Sequence, residues 1–206
     1  KWRPGRADEE KSLSELVATR HRRPDDPDPA AELACAYLRR GANREAFQMA
    51  ELALKLRPNH QRATYVMARL HIQAGRPEHA VELLAACLDR RAPDPLALNL
   101  LAGLKLKAKQ YEEAADLYRL GANTAPANLS WLRSLARVYL LQKNDAQLAD
   151  VLRSIAQADA EDVASVKKLA ELAMGRRDFA EAALWANRAL EINVNDADAH
   201  CTLAEA

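Results

Sequence analysis

The sequence predicts an all-α fold, a solenoid of antiparallel helix pairs, on three observations. The first is a period: Pro24 and Pro58 lie 34 residues apart and Pro126 lies two further periods on, with Ala92 and Pro93 at the intervening phase. The second is a pair that recurs at that period, as Leu33-Ala34, Met67-Ala68, Leu101-Ala102, Leu135-Ala136 and Leu169-Ala170. The third is composition: of 206 residues 49% are hydrophobic, carried mostly by Ala and Leu, with only six glycines and two phenylalanines, which favours helix over sheet. Self-similarity at such a period marks a stack of supersecondary units, each burying its apolar face on its neighbours.

The clearest copy runs from Pro95 to Pro126 and reads as two amphipathic helices joined by a tight turn. Leu98, Leu101, Ala102 and Lys105 share one face of the first helix, and Tyr111, Ala114, Tyr118 and Gly121 one face of the second. Alignment on this copy gives five whole units, starting near 27, 61, 95, 129 and 163, with no insertion between them. The second helix recurs through Ala46, Ala80, Ala114, Leu148 and Ala182, then Ala53, Cys87, Gly121, Ile155 and Ala189. The fourth unit departs from the small-residue pattern with Leu148, Leu152 and Ile155, which predicts differently spaced packing around Asp159 to Asp162.

Taken in order, residues 1–26 read as a tail and a remnant or capping helix. Lys1 to Gly5 is polar apart from Trp2; Ala7 to Arg20 carries Leu13, Leu16 and Val17 on one helical face and stops near His21-Arg22-Arg23-Pro24. The array occupies 27–206. Asp28 is placed to cap the first helix with Pro29 in its first turn, where a missing donor costs nothing, and Asp94-Pro95 repeats the device. Asn144 and Gln147 form a capping box for the second helix of the fourth unit. Ala197 to Ala206 begins a sixth unit with Leu203-Ala204 at the recurring phase. A terminal helix without its hairpin partner exposes an apolar face, so the natural protein is expected to continue beyond Ala206.

The period and pattern resemble the tetratricopeptide repeat family from about Pro27 onward. The resemblance is carried by Leu33 to Tyr37 with Pro58, by Leu101 to Lys105 with Ala114 to Tyr118 and Pro126, by Leu135 to Tyr139, and by Asp178 to Asp196 with Val194 at the proline phase. The large aromatic that the family carries near the start of its first helix is replaced by Ala30, Thr64, Leu98, Leu132 and Val166. The resemblance implies a right-handed superhelix whose first helices line a concave face. It also implies a protein-protein interaction scaffold without catalytic activity.

On that geometry Arg62, Tyr65, Arg69, Asn99, Lys107, Arg133, Arg137 and Lys167 face inward and make a weakly basic groove, although the formal net charge of the chain is +1. The expected partner is a protein or peptide carrying carboxylates, held by bidentate Arg forks with Tyr65 as a flat apolar contact. A clamp for a terminal carboxylate is not expected, because Ala31, Cys35, Asn99 and Gly103 do not supply the full Lys and Asn set. Self-association through exposed end helices, including Leu13, Leu16, Val17 and Leu203, is the alternative. A second is an accessory role in positioning a substrate for an enzyme domain outside this chain.

Other functions find less support. His21, His60, His71, His79 and His200 are scattered and form no metal motif, so no metal, cofactor or catalytic residue is expected; His71 stands at the phase of Tyr37 and Tyr139, a packing position. No glycine-rich phosphate cradle or nucleophile elbow is present. Nucleic acid is disfavoured because only Tyr65 offers a stacking ring to the groove, Trp131 and Trp185 reading as interface residues. Cys35, Cys87 and Cys201 are far apart and read as unpaired small hydrophobes. No apolar run is long enough for membrane insertion, and a soluble protein is expected, with the cytoplasm as the favoured compartment.

Overall fold

The computed structural model describes residues 12–206. The polar Lys1 to Gly5 stretch and the first residues of the expected 7–20 helix lie outside the described residues. Within them the chain forms twelve helices: α1 Leu13–Arg22, α2 Pro27–Arg39, α3 Asn43–Leu56, α4 Gln61–Gln73, α5 Pro77–Cys87, α6 Pro95–Lys107, α7 Tyr111–Thr124, α8 Ser130–Gln142, α9 Asp145–Ala158, α10 Val163–Gly175, α11 Phe179–Ile192 and α12 Ala197–Glu205. No strand occurs among the described residues. Two compact units divide the chain, the first ending at Leu104 and the second running Lys105–Ala206.

One turn chemistry closes every hairpin. One or two residues past the end of each first helix the chain adopts a left-handed conformation, at Gly41, Gly75, Lys109, Lys143 and Arg177, each 34 residues from the next. The following backbone N–H then reaches back over five residues, from Ala42 to the Tyr37 carbonyl, Arg76 to His71, Gln110 to Lys105, Asn144 to Tyr139 and Asp178 to Ala173, at 2.9–3.0 Å. This closure satisfies carbonyls that a helix end leaves orphaned. Glycine adopts the left-handed region freely, whereas lysine and arginine do so at a cost of about 1 kcal/mol each. Lys109→Gly, Lys143→Gly and Arg177→Gly are therefore each expected to stabilise by about 0.5–1 kcal/mol, read from urea midpoints; a loss of stability in all three would refute the account.

The start of the first helices has its own period. Asp26, His60, Asp94, Asp162 and Asp196 each cap a helix through a side-chain acceptor, and Asn128 accepts from the Ser130 N–H at the remaining phase. The first-unit cap is Asp26 rather than Asp28: Pro27 opens α2, and Asp28 falls inside it. The Asp28 carboxylate instead receives His60 Nε2 at 2.8 Å and Arg57 Nη1 at 3.2 Å. His60 accepts the Ala63 N–H on Nδ1, so its proton sits on Nε2 and points at Asp28.

In the first unit the recurring small residues set the helix crossings. Ala34, Cys35, Ala46, Ala50 and Val66 form one buried cluster walled by Tyr37, Leu38, Met49, Tyr65, Met67 and Leu70. Leu16 is buried against Leu33 and Ala36, with Leu13 and Val17 half-buried beside it, so α1 uses its apolar face on the array and does not present it. In the second unit Leu148, Leu152 and Ile155 are buried, and Trp131 is buried against α7, its ring 6.3 Å from that of Tyr118. Val166, Ala189 and Ala199 tie α10, α11 and α12 together.

His71 packs at its phase without a hydrogen bond: Nδ1 is buried and has no partner among the described residues, and the ring lies 6.0 Å from that of His79. Burial, then the nearby charges of Arg76 and His79, hold its pKa below the ordinary 6.5. The unfolded chain therefore takes up the proton first, and the stability conferred by neutral His71 is lost as pH falls through 6.5 toward the lower folded value. The urea midpoint is expected to fall between about pH 7.5 and about pH 5.5, with a smaller fall in His71→Tyr, the residue found at this phase in Tyr37 and Tyr139. Parallel curves for the two proteins would count against this.

Candidate protein-interaction faces

The residues expected to face inward lie on the first helices, and each unit has its own set. In the first unit, Arg62 is half-buried and its Nε donates to Asp94 Oδ2 at 2.7 Å. Gln61 binds the same loop, donating to the Ala92 carbonyl and accepting from the Asp94 N–H. Tyr65 is half-buried on the Val66 cluster. Arg69 and Asn99 are exposed. Arg69 has no hydrogen-bond or ion-pair partner among the described residues. A cleft of about 810 Å³ opens between the starts of α2 and α4 and the loop after α5, lined by Asp28, Arg57, His60, Arg62, Cys87 and Asp94.

In the second unit, Arg133 Nη2 donates to Asp159 Oδ2 at 3.0 Å and to Asp162 Oδ2 at 3.1 Å. Lys167 Nζ donates to Asp196 Oδ2 at 3.0 Å and Asp198 Oδ2 at 2.7 Å. Hydrogen bonds to Asp198 and Asp196 raise the Lys167 pKa, and the bond from Lys167 followed by the Ala199 N–H lowers that of Asp196. Lys107 and Arg137 are exposed. A second cleft, of about 670 Å³, lies over α11 between α10 and α12, with Ala186 and Ala189 at its lining and Lys167, Lys168, Glu171 and Thr202 around it.

Three of the cations read from sequence as groove residues thus hold carboxylates of the chain itself. Arg62, Arg133 and Lys167 each reach forward to the aspartate that caps the next first helix, Asp94, Asp162 and Asp196. The signal for this in the sequence is the spacing of those aspartates, 68 and 34 residues apart. What remains uncommitted on the first helices is Arg69 in the first unit and Arg137 in the second, with Tyr65, Asn99 and Lys107. Exposed single ion pairs contribute about 0–1 kcal/mol, so these ties fix register more than they stabilise.

Among the described residues no group of three or more His, Cys, Asp or Glu side chains converges as a metal site would. Cys35, Cys87 and Cys201 are unpaired, and burial pushes the Cys35 thiol up to about 11, so it stays protonated. No helix among the described residues is long and apolar enough to cross a membrane.

Comparison with known proteins agrees with this architecture. A family model for the tetratricopeptide repeat matches residues 37–104. Among curated protein sequences none matches the chain. The crystal structure of YrrB, a TPR protein with an unusual peptide-binding site, superposes with a TM-score of 0.66 at 10% identity, over 92% of this chain and 98% of that one. The structure of PilF from Pseudomonas aeruginosa gives 0.59 at 20% identity over 87% of each chain. That of MamA from Desulfovibrio magneticus RS-1 gives 0.58 at 19% identity, over 83% and 97%. These likenesses establish the fold. Residues 37–104 thus match the tetratricopeptide repeat family, and the helix pairs outside that stretch repeat the same period and hairpin closure.

Proposed function

We propose that each compact unit binds a peptide or protein segment on the exposed sides of its first helices, with Arg69 as the cation that meets a partner carboxylate in the first unit and Arg137, separately, in the second. The observation that carries this reading is the division of labour among the basic residues: Arg62, Arg133 and Lys167 are occupied by cap aspartates, whereas Arg69 and Arg137 are exposed and unpaired among the described residues. An unpaired guanidinium offers a planar fork for a carboxylate at no cost of breaking an internal bond. Tyr65 and Asn99 supply apolar and amide contacts beside Arg69, and Lys107 adds charge in the second unit. YrrB, which shares the fold, is described as having an unusual peptide-binding site, which is consistent with the class of ligand.

The experiment is capture of proteins from lysate on the immobilised chain, beside Arg69→Glu with Arg137→Glu and, separately, Arg133→Glu. Bands held by the original and by Arg133→Glu but lost from the double variant support the reading, provided circular dichroism shows all three folded. Equal capture by all three would sink it.

A further inference from the structure

Arg62, Tyr65 and Arg69 occupy one side of α4. Thr64, Met67 and His71 each stand two residues further on, about 200° round the helix, and so look the opposite way. There they line a separate cavity of about 230 Å³, walled by Leu54 of α3 on one side and by Leu83 and Ala86 of α5 on the other. The Thr64 hydroxyl on this floor donates to Cys87 Sγ at 3.3 Å and is satisfied within the chain.

The lips of the cavity are apolar and uncovered. Leu83 is 38% exposed, and Phe47, two turns before Leu54 on the same side of α3, is 44% exposed. At the phase of Phe47 the third and fourth hairpins carry Ala115 and Ala149, and at that of Leu83 they carry Leu117 and Val151, all four buried. Positions that those hairpins close over are thus open on α3 and α5, and at one of them alanine has become phenylalanine. A lone exposed leucine is ordinary, but two large apolar side chains on the two walls of one cavity form a patch. The only charged side chains of α5, Glu78 and Glu82, lie one turn apart beside Leu83, are exposed and make no ion pair among the described residues. On α3, Glu51 is already held by Lys55 at 3.3 Å.

We propose that this outer groove of the first unit receives an amphipathic helix of a partner protein, its apolar stripe on Phe47, Leu54 and Leu83 and its lysines or arginines against Glu78 and Glu82. One large apolar side chain of that helix enters the cavity, since an apolar space of about 150 Å³ already holds a benzene-sized ring. A helix is the occupant because α3, α4 and α5 satisfy their backbone groups internally. An extended segment would leave its own N–H and C=O groups against leucine, methionine and phenylalanine, whereas a helix brings them already paired. Its apolar stripe also matches the two-turn spacing from Phe47 to Leu54 and from His79 to Ala86. The groove lies apart from the Arg69 side of α4 and favours the opposite charge, so either reading can fail without the other.

The probe is a phage-displayed library of helical peptides of about sixteen residues on an alanine-rich framework, selected on the whole immobilised chain. Selected peptides are titrated by fluorescence anisotropy against the original, Leu83→Glu, Phe47→Glu, Glu78→Lys combined with Glu82→Lys, and Arg69→Glu. The expected result is peptides with large apolar residues at helical spacing and flanking lysine or arginine. Their affinity should fall about tenfold or more with Leu83→Glu and with Phe47→Glu, about threefold or more with the double lysine variant, and not at all with Arg69→Glu. All the substituted residues are exposed, so helicity should be unchanged; should a glutamate variant unfold, Leu83→Ser or Phe47→Ser takes its place. Peptides indifferent to both Leu83 and Phe47 overturn the groove, and those that depend on Arg69 instead leave the reading of the first-helix faces standing. Equal binding of a peptide carrying a central proline rules out the helix. A dimer seen by sedimentation equilibrium and lost in Leu83→Glu puts a second copy in the groove and refutes the partner. Enrichment of no peptide removes the proposal.

Discussion

Gly121→Ala is expected to destabilise the chain by about 3 kcal/mol, at the upper end of the range for overpacking. In an ordinary helix the same change stabilises by about 1 kcal/mol, so the sign itself is the test. A Cβ on Gly121 would stand inside the van der Waals envelope of Trp131, against three atoms of its indole ring. The ring is buried and close to Tyr118, so it cannot swing clear without opening the α7–α8 contact. Trp131→Ala alone should cost about 3–5 kcal/mol by emptying the space. Adding Gly121→Ala to that background should cost nothing further, because the clash has lost its partner. Urea denaturation of the four proteins checks the cycle, and a single Gly121→Ala variant within about 0.5 kcal/mol of the original would remove its basis.

Leu148→Ala is expected to cost about 2–4 kcal/mol, although it installs the residue that the other four units carry at this phase. Ala46, Ala80, Ala114 and Ala182 are fully buried, each where two helices cross closely. Leu148 is equally buried, at 2% exposure, with Leu152 and Ile155 beside it in α9. The fourth hairpin has therefore packed around a larger side chain, and alanine would leave a void the neighbours close only in part. Repeat averages predict improvement from this substitution; burial predicts loss. A urea midpoint equal to or above that of the original would favour the averages.

Much of the fold was legible because its determinants repeat as residue types. The Leu-Ala pair recurs in four of the five units and alanine holds the first small position of the second helix in four, while the Asp94-Pro95 cap has its counterpart at Asp26-Pro27. Other determinants repeat as conformation while the residue changes. The left-handed turn position is glycine at 41 and 75 but lysine or arginine at 109, 143 and 177, so an identity search passes over it. The cap of the first unit was misplaced by two residues because Asp26 and Asp28 both precede a proline, and only the hydrogen bonds distinguish them. On the candidate faces, solvent-facing positions were readable from helical spacing, but the partners of Arg62, Arg133 and Lys167 lie 29 to 32 residues ahead in loops. Helical spacing within one element carries no information about a carboxylate arriving from the next.

The uniform hairpin closure also bears on how the chain reaches its structure. Each first helix is turned back by a hydrogen bond spanning five residues, and the second helix follows at once, so a hairpin assembles from neighbours in sequence and closes only a short loop. Chains dominated by such local pairings fold faster than those that must first join distant segments. Any hairpin can then serve as the starting point, and the lysine and arginine turns at 109, 143 and 177 carry a left-handed strain that the glycine turns at 41 and 75 do not. The hairpins turned by Gly41 and Gly75 are therefore the expected points of initiation.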